Sequence, residues 1–130
     1  MSFVVTNGEL AYEAGLILTG AWKVFLATKD SLTVSSTLAA WEAAELASSN
    51  GYAAVTGVVG ASSFNATTGR YEAPVITGQF TASGAGYSFD AMIIKLASRS
   101  YPYAVNLYDV PIVLAAGQSR GFNITLGIKP

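Results

Sequence analysis

The chain has 130 residues, of which 52 % are hydrophobic and 12 % charged, with seven basic against eight acidic side chains and a formal net charge of −1. That length sustains one hydrophobic core, so residues 1–130 are expected to form a single domain. Cysteine and histidine are both absent, which excludes disulfide frameworks, thiolate metal sites, histidine-based triads and the common zinc sets; neither a metal nor another cofactor is expected.

An average soluble domain carries about 25 % charged residues, roughly twice the share found here. Solubility of a monomer rests on mixed surface charge and a net charge away from zero, so this shortage favours a surface covered by neighbouring subunits. Serine, threonine, asparagine and glycine offer the other way to solvate such an exterior. The basic residues Lys23, Lys29, Arg70, Lys95, Arg99, Arg120 and Lys129 are dispersed and leave no footprint for a phosphate backbone, so nucleic acid is not an expected partner. No run reaches the roughly 18 consecutive apolar residues of a membrane helix, and no membrane partner is expected. Glu9 and Glu13 stand where a signal peptide would be positive, so the chain reads as soluble and unprocessed.

Residues 1–6 include the apolar run Phe3, Val4 and Val5, ahead of the first predicted element. They form a candidate docking tail, able to add to the sheet edge of a neighbour; disorder at a terminus is the alternative. Residues 7–18 then read as a helix, with Asn7 as N-cap, Glu9 in the first turn and Leu10, Ala14, Ile17 and Leu18 on one stripe. Gly20 stops it. Residues 21–28 alternate Trp22, Val24 and Leu26 against Lys23, Phe25 and Ala27, a strand buried on most of both faces. After a polar connection, TLAAWEAAELAS predicts a second short helix with Ser36 as cap.

Asn50-Gly51 marks a turn, and the remainder reads as strand and turn. YAAVTGVVG is a β-type run, SSFNATTGR a polar loop, and residues 71–82 one long strand whose Pro74 suits an edge or a bulge. Beyond residues 83–86, YSFDAMIIKLA requires cover on both faces and is expected to pair antiparallel with the preceding strand. AVNLYDV and PIVLAAG follow as strands. The clearest period-two signal is the last, where Phe122, Ile124, Leu126 and Ile128 alternate with Gly121, Asn123, Thr125 and Gly127. The expected class is mainly β, an antiparallel sandwich or jelly roll with one or two short helices in the N-terminal third.

Catalytic candidates are few. The acids are Glu9, Glu13, Glu42, Glu45, Glu72, Asp30, Asp90 and Asp109, and a carboxylate pair among them could serve acid and base roles on a glycoside. Glu42 and Glu45 lie three apart on a predicted helix, a spacing that more often marks a solvated face. Asp90 draws attention because its strand looks buried. No glycine-rich phosphate loop or nucleophile elbow is present, and serines without histidine lack their ordinary base. No catalytic residue is assigned, and the chain is expected not to be an enzyme. The turn Tyr101-Pro102-Tyr103 is the best candidate contact site, since exposed aromatics stack on sugar rings or anchor protein partners; the competing reading folds these rings over the end of the sandwich.

An N-terminal amphipathic helix, the strand WKVFLATKD, a short acidic helix, NGYAAVTG, GRYEAPVITGQFTASG and a terminal AAGQSRGFNITLGI follow one another. In that order they resemble small virion structural proteins of tailed bacteriophages, a group that includes head decoration and tail-associated proteins. The resemblance spans most of the chain and brings no catalytic residue with it. It implies a protomer located in the virion that assembles with itself, as a homotrimer, and with the major capsid protein or another virion protein. The leading expectation is a capsid decoration, or cement, protein; the alternative is a tail or fibre component that touches a host glycan.

Overall fold

The computed structural model describes Tyr12, Gly15 and residues 19–128, with Ile128 described by its backbone alone. Residues 1–6 and most of the first predicted helix, including Phe3, Val4 and Val5, lie outside the described residues; Tyr12 and Gly15 are helical. The described elements are β1 (Ala21–Ala27), α1 (Leu38–Ala43), β2 (Val55–Val58), β3 (Ser63–Asn65), β4 (Arg70–Glu72), β5 (Ile76–Thr81), β6 (Tyr87–Leu96), β7 (Ala104–Leu114), β8 (Ser119–Ile124) and β9 (Gly127–Ile128). The chain is mainly β, and every strand pairing is antiparallel: β2-β1-β6-β7 in the largest sheet, β3-β4-β9 and β5-β8 in the others.

The centre of the largest sheet is apolar on both faces, as its sequence requires. Trp22, Val24 and Leu26 of β1 and Met92, Ile94 and Leu96 of β6 point toward β5 and β8, where they form one core with Ile76, Phe80, Phe122 and Ile124. On the opposite face Phe25, Ala27, Ala91 and Ile93 pack with Trp41 of α1, whose side chain is fully buried. Burying aromatic and branched side chains of this size contributes roughly 1.5–3 kcal/mol each, so the β1–β6 pair carries much of the stability.

Two aromatic rings of the inner core sit over glycines of the adjacent strand. Trp22 lies opposite Gly57, and Phe122 opposite Gly78; a Cβ at Gly57 would come within 2.5 Å of the Trp22 ring. The two rings then meet edge to face at 6.4 Å, a favoured aromatic geometry.

Several sequence expectations need correction. The cap of α1 is Thr37, whose hydroxyl accepts from the Ala40 N–H at 3.2 Å, whereas Ser36 Oγ accepts from Thr33 N–H. The helix also stops early. Residues 44–46 leave it to extend the edge of β1 beyond the end of β2, with Leu46 N–H donating to Leu26 C=O at 3.0 Å and Glu45 bridging Ala27. Backbone pairing with a buried strand outweighs the helix propensity of Ala, Glu and Leu there.

The polar loop expected at residues 62–70 contains half of a hairpin, β3 and β4, closed by Gly69 at a positive φ of 69°. The long strand expected at residues 71–82 divides at Ala73-Pro74-Val75, which sends β4 and β5 into different sheets. β5 pairs with β8 and not with β6. Their patterns explain the choice. β5 and β8 each carry one inward face, as an outer layer requires, whereas β6 is apolar on both faces and occupies a central place between β1 and β7. AVNLYDV and PIVL form a single strand, β7, because Pro111 lies on an edge where no partner needs its missing N–H. The terminal alternation is interrupted at Thr125 and Leu126 between β8 and β9.

Candidate interaction surfaces

Asn50 and Gly51 both adopt positive φ, 54° and 82°, the conformation of a type I′ turn. This turn rests against residues 83–86: Ser83 N–H donates to Asn50 C=O at 2.8 Å. Leaving the turn, Tyr52 enters the inner core, stacking on Phe80 at 6.1 Å and meeting Tyr87 edge to face. Its hydroxyl accepts from Leu26 N–H at 3.1 Å and donates to Glu45 Oε2 at 2.7 Å. Burial, followed by the hydrogen bond to Glu45, raises the pKa of the Tyr52 hydroxyl well above that of a free tyrosine.

The acids singled out by sequence are distributed in separate structural contacts. Glu45 also pairs with Lys23 at 3.1 Å, and Glu42 with Lys95 at 3.0 Å, so the two lysines on the outer face of the sheet fasten α1 and its extension. Glu72 pairs with Arg70 and accepts from Asn65 within the β3–β4 hairpin. Asp90 is half-buried at an irregularity of the β6–β7 ladder, where Phe89 faces Ile112 but Ala91 faces Leu107. Its Oδ1 accepts from Lys29 N–H at 2.5 Å, and Lys29 Nζ reaches Tyr108 C=O at 2.6 Å. Asp90 therefore ties the end of β1 to β6, and Lys29, held there, reaches the widened part of β7. Among the described residues, no cluster of three acidic side chains stands ready to hold a metal ion.

The Tyr101-Pro102-Tyr103 turn divides between the two readings given to it. Tyr103 is half-buried against the inner core, its N–H donates to Ile94 C=O at 2.9 Å and its hydroxyl lies 3.4 Å from Gly127 N–H. Pro102 is half-buried beside it. Tyr101 is 52 % exposed, with the Arg99 guanidinium 5.2 Å from its ring centre and donating to its hydroxyl. One exposed ring therefore remains.

A further surface lies between β7 and β8. Val24, Met92 and Ile94 form the floor of a cleft of about 350 Å³, walled by Ala104, Asn106 and Tyr108 on one side and Arg120, Phe122 and Ile124 on the other. Sequence reading passed over it. In AVNLYDV the apolar positions are Val105 and Leu107, but these pack on the outer core beneath α1, so β7 turns Ala104, Asn106 and Tyr108 inward. Small and polar residues on the inner face of an edge strand were the signal, legible only once the sheet order is known. Comparison with family models, curated proteins and solved structures finds no match for the chain.

Proposed function

We propose that the chain is a non-enzymatic structural subunit of a tailed-phage virion, acting as a capsid decoration protein. In this role it trimerises and bridges major capsid subunits, adding contact area that resists pressure from the packaged genome. The observation that carries the reading is an exterior poor in charge and supplied with isolated apolar side chains: Val34, Val58, Val75, Val110 and Val113 are all more than half exposed. Specific stable interfaces bury more than about 1,000 Å², with charge depleted at their centre, and such an exterior suits cover on several sides. The order of segments shared with virion structural proteins supports the same class. No cofactor, nucleic acid or membrane belongs to this role.

Heating virions with and without the protein tests it. Loss of the protein is expected to lower the temperature of genome release and to sensitise particles to osmotic shock; unchanged release in both assays rejects cementing. The exposed ring of Tyr101 favours a second reading, a tail or fibre subunit that touches a host glycan. Labelled protein found on tails and absent from heads would establish that placement against the first.

A further inference from the structure

The asparagines among the described residues are Asn50, Asn65, Asn106 and Asn123, and their surroundings differ. Asn106 and Asn123 lie inside β7 and β8, followed by Leu107 and Ile124, whose branched side chains shield the next backbone nitrogen. Asn65 precedes Ala66 and is held at both ends of its carboxamide: Nδ2 donates to Glu72 at 2.6 Å, and Oδ1 accepts from Thr67 N–H at 2.9 Å. Asn50 is exposed, precedes a glycine and has one long side-chain contact, Oδ1 accepting from Ala85 N–H at 3.4 Å. Among the described residues, neither its Nδ2 nor the Gly51 N–H has a hydrogen-bond partner. No Cβ screens the Gly51 nitrogen, so that nitrogen is the most accessible of the four neighbours.

We propose that Asn50 is a site of spontaneous deamidation in the folded protein, through an imide formed with Gly51. The Gly51 backbone nitrogen attacks Cγ of the Asn50 side chain. A C–N bond forms, the Cγ–Nδ2 bond breaks, and Nδ2 leaves as ammonia with the proton given up by the Gly51 nitrogen. Water then opens the imide. Opening at Cγ returns an ordinary aspartate; opening at the backbone carbonyl leaves Gly51 joined through Cγ, an isoaspartate. Ala85 N–H points at the oxygen on which negative charge develops during the attack, the position at which a backbone donor assists acyl transfer. No oxidant or reductant enters.

The turn slows this reaction without preventing it. Bringing the Gly51 nitrogen onto Cγ rotates Asn50 away from its left-handed geometry, φ 54°, and breaks the bond from Tyr52 N–H to Ser49 C=O, 3.0 Å long, that closes the turn. An exposed turn opens locally without global unfolding. Aspartate lets it close again, because Asp-Gly suits the same type I′ geometry. Isoaspartate does not: it adds a methylene to the main chain two residues before Tyr52 and turns the Asn50 carbonyl that accepts from Ser83 N–H into a free carboxylate. Tyr52 is the side chain that reaches Leu26 N–H and Glu45 in the core, so the product is a slow, one-way loosening of its attachment. This chemistry goes beyond the virion role and does not depend on it.

Ageing the full-length protein in warm, mildly alkaline buffer tests the proposal. Samples taken over weeks are digested, and peptide fragmentation locates each amide that has become an acid and distinguishes isoaspartate from aspartate. A parallel sample in urea gives the rate for the open chain. Conversion in the folded protein is expected at Asn50 ahead of Asn65, Asn106 and Asn123, with isoaspartate present, and several-fold slower than in urea. The aged fraction carrying isoaspartate is expected to melt a few degrees below fresh protein, whereas a freshly purified Asn50→Asp variant melts as the native chain does, which separates the altered linkage from the added charge. Absence of conversion at Asn50 in the folded protein overturns the proposal, whatever the urea sample shows, as does equal conversion at all four asparagines. An isoaspartate fraction that melts with fresh protein overturns the loosening of Tyr52.

Discussion

Tyr52 joins three parts of the chain through one hydroxyl: the backbone of β1 at Leu26, the carboxylate of Glu45, and through that carboxylate Lys23. The Tyr52→Phe variant retains the ring stacking on Phe80 but leaves Leu26 N–H without its partner, a loss of about 1–3 kcal/mol. Urea denaturation at pH 7 measures it. The same site sets an alkaline limit. Below pH 10 Tyr52 is protonated in folded and unfolded chains alike, so it adds no pH dependence. Above pH 10 the unfolded chain releases this proton while the folded chain holds it, and stability falls as pH rises. Burial raises Tyr87 in the same direction. Denaturation midpoints between pH 9 and 11.5 are expected to fall more steeply in the native protein than in Tyr52→Phe; parallel curves would mean that Tyr52 is not the titrating group.

Among elements, the strands most legible in sequence were those whose side chains alone determine burial. Trp22, Val24 and Leu26 opposite Phe25 and Ala27 announced a two-faced strand, and β1 is one. What sequence left hidden depends on partners. The break at Pro74 depends on β4 and β5 joining different sheets, the end of α1 depends on the free edge of β1, and the pairing of β5 with β8 depends on which layer each joins. The Gly57–Trp22 contact is of the same kind, since glycine in VTGV acquires its meaning only from the ring lying across it. Gly57→Ala places a methyl carbon within 2.5 Å of that ring and is expected to cost about 1–3 kcal/mol through displacement of Trp22. Tryptophan fluorescence should shift together with the loss of stability. An unchanged spectrum and melting curve would show that the ring has room to move. Asp90 gives a smaller effect at the junction of β1 and β7. Asp90→Ala removes the acceptor of Lys29 N–H, with an expected cost of about 1 kcal/mol, and amide exchange at Lys29 should quicken.

For the whole molecule, shortage of charge and position of the exposed valines combine into one expectation. Val110 and Val113 are 76 % and 69 % exposed on β7, an edge strand whose far side bonds to no other strand among the described residues. An apolar edge of this kind invites pairing with another chain unless charge or a partner covers it. Nearby, Pro111 removes one donor, which limits pairing without removing apolar area. Replacing both valines by glutamate changes no buried contact, so the isolated chain should keep its stability within about 0.5 kcal/mol, a melting shift of about 2 °C. It also moves the net charge from −1 to −3. If β7 is covered in the assembly, two carboxylates buried there without partners are strongly unfavourable, and binding to particles or to other copies should be lost while the monomer melts normally. If the double variant instead decorates particles at the native level, the Val110 and Val113 surface faces solvent and the buried contacts lie elsewhere on the molecule. Sedimentation of mixtures with particles, read beside a melting curve, separates these outcomes in one preparation.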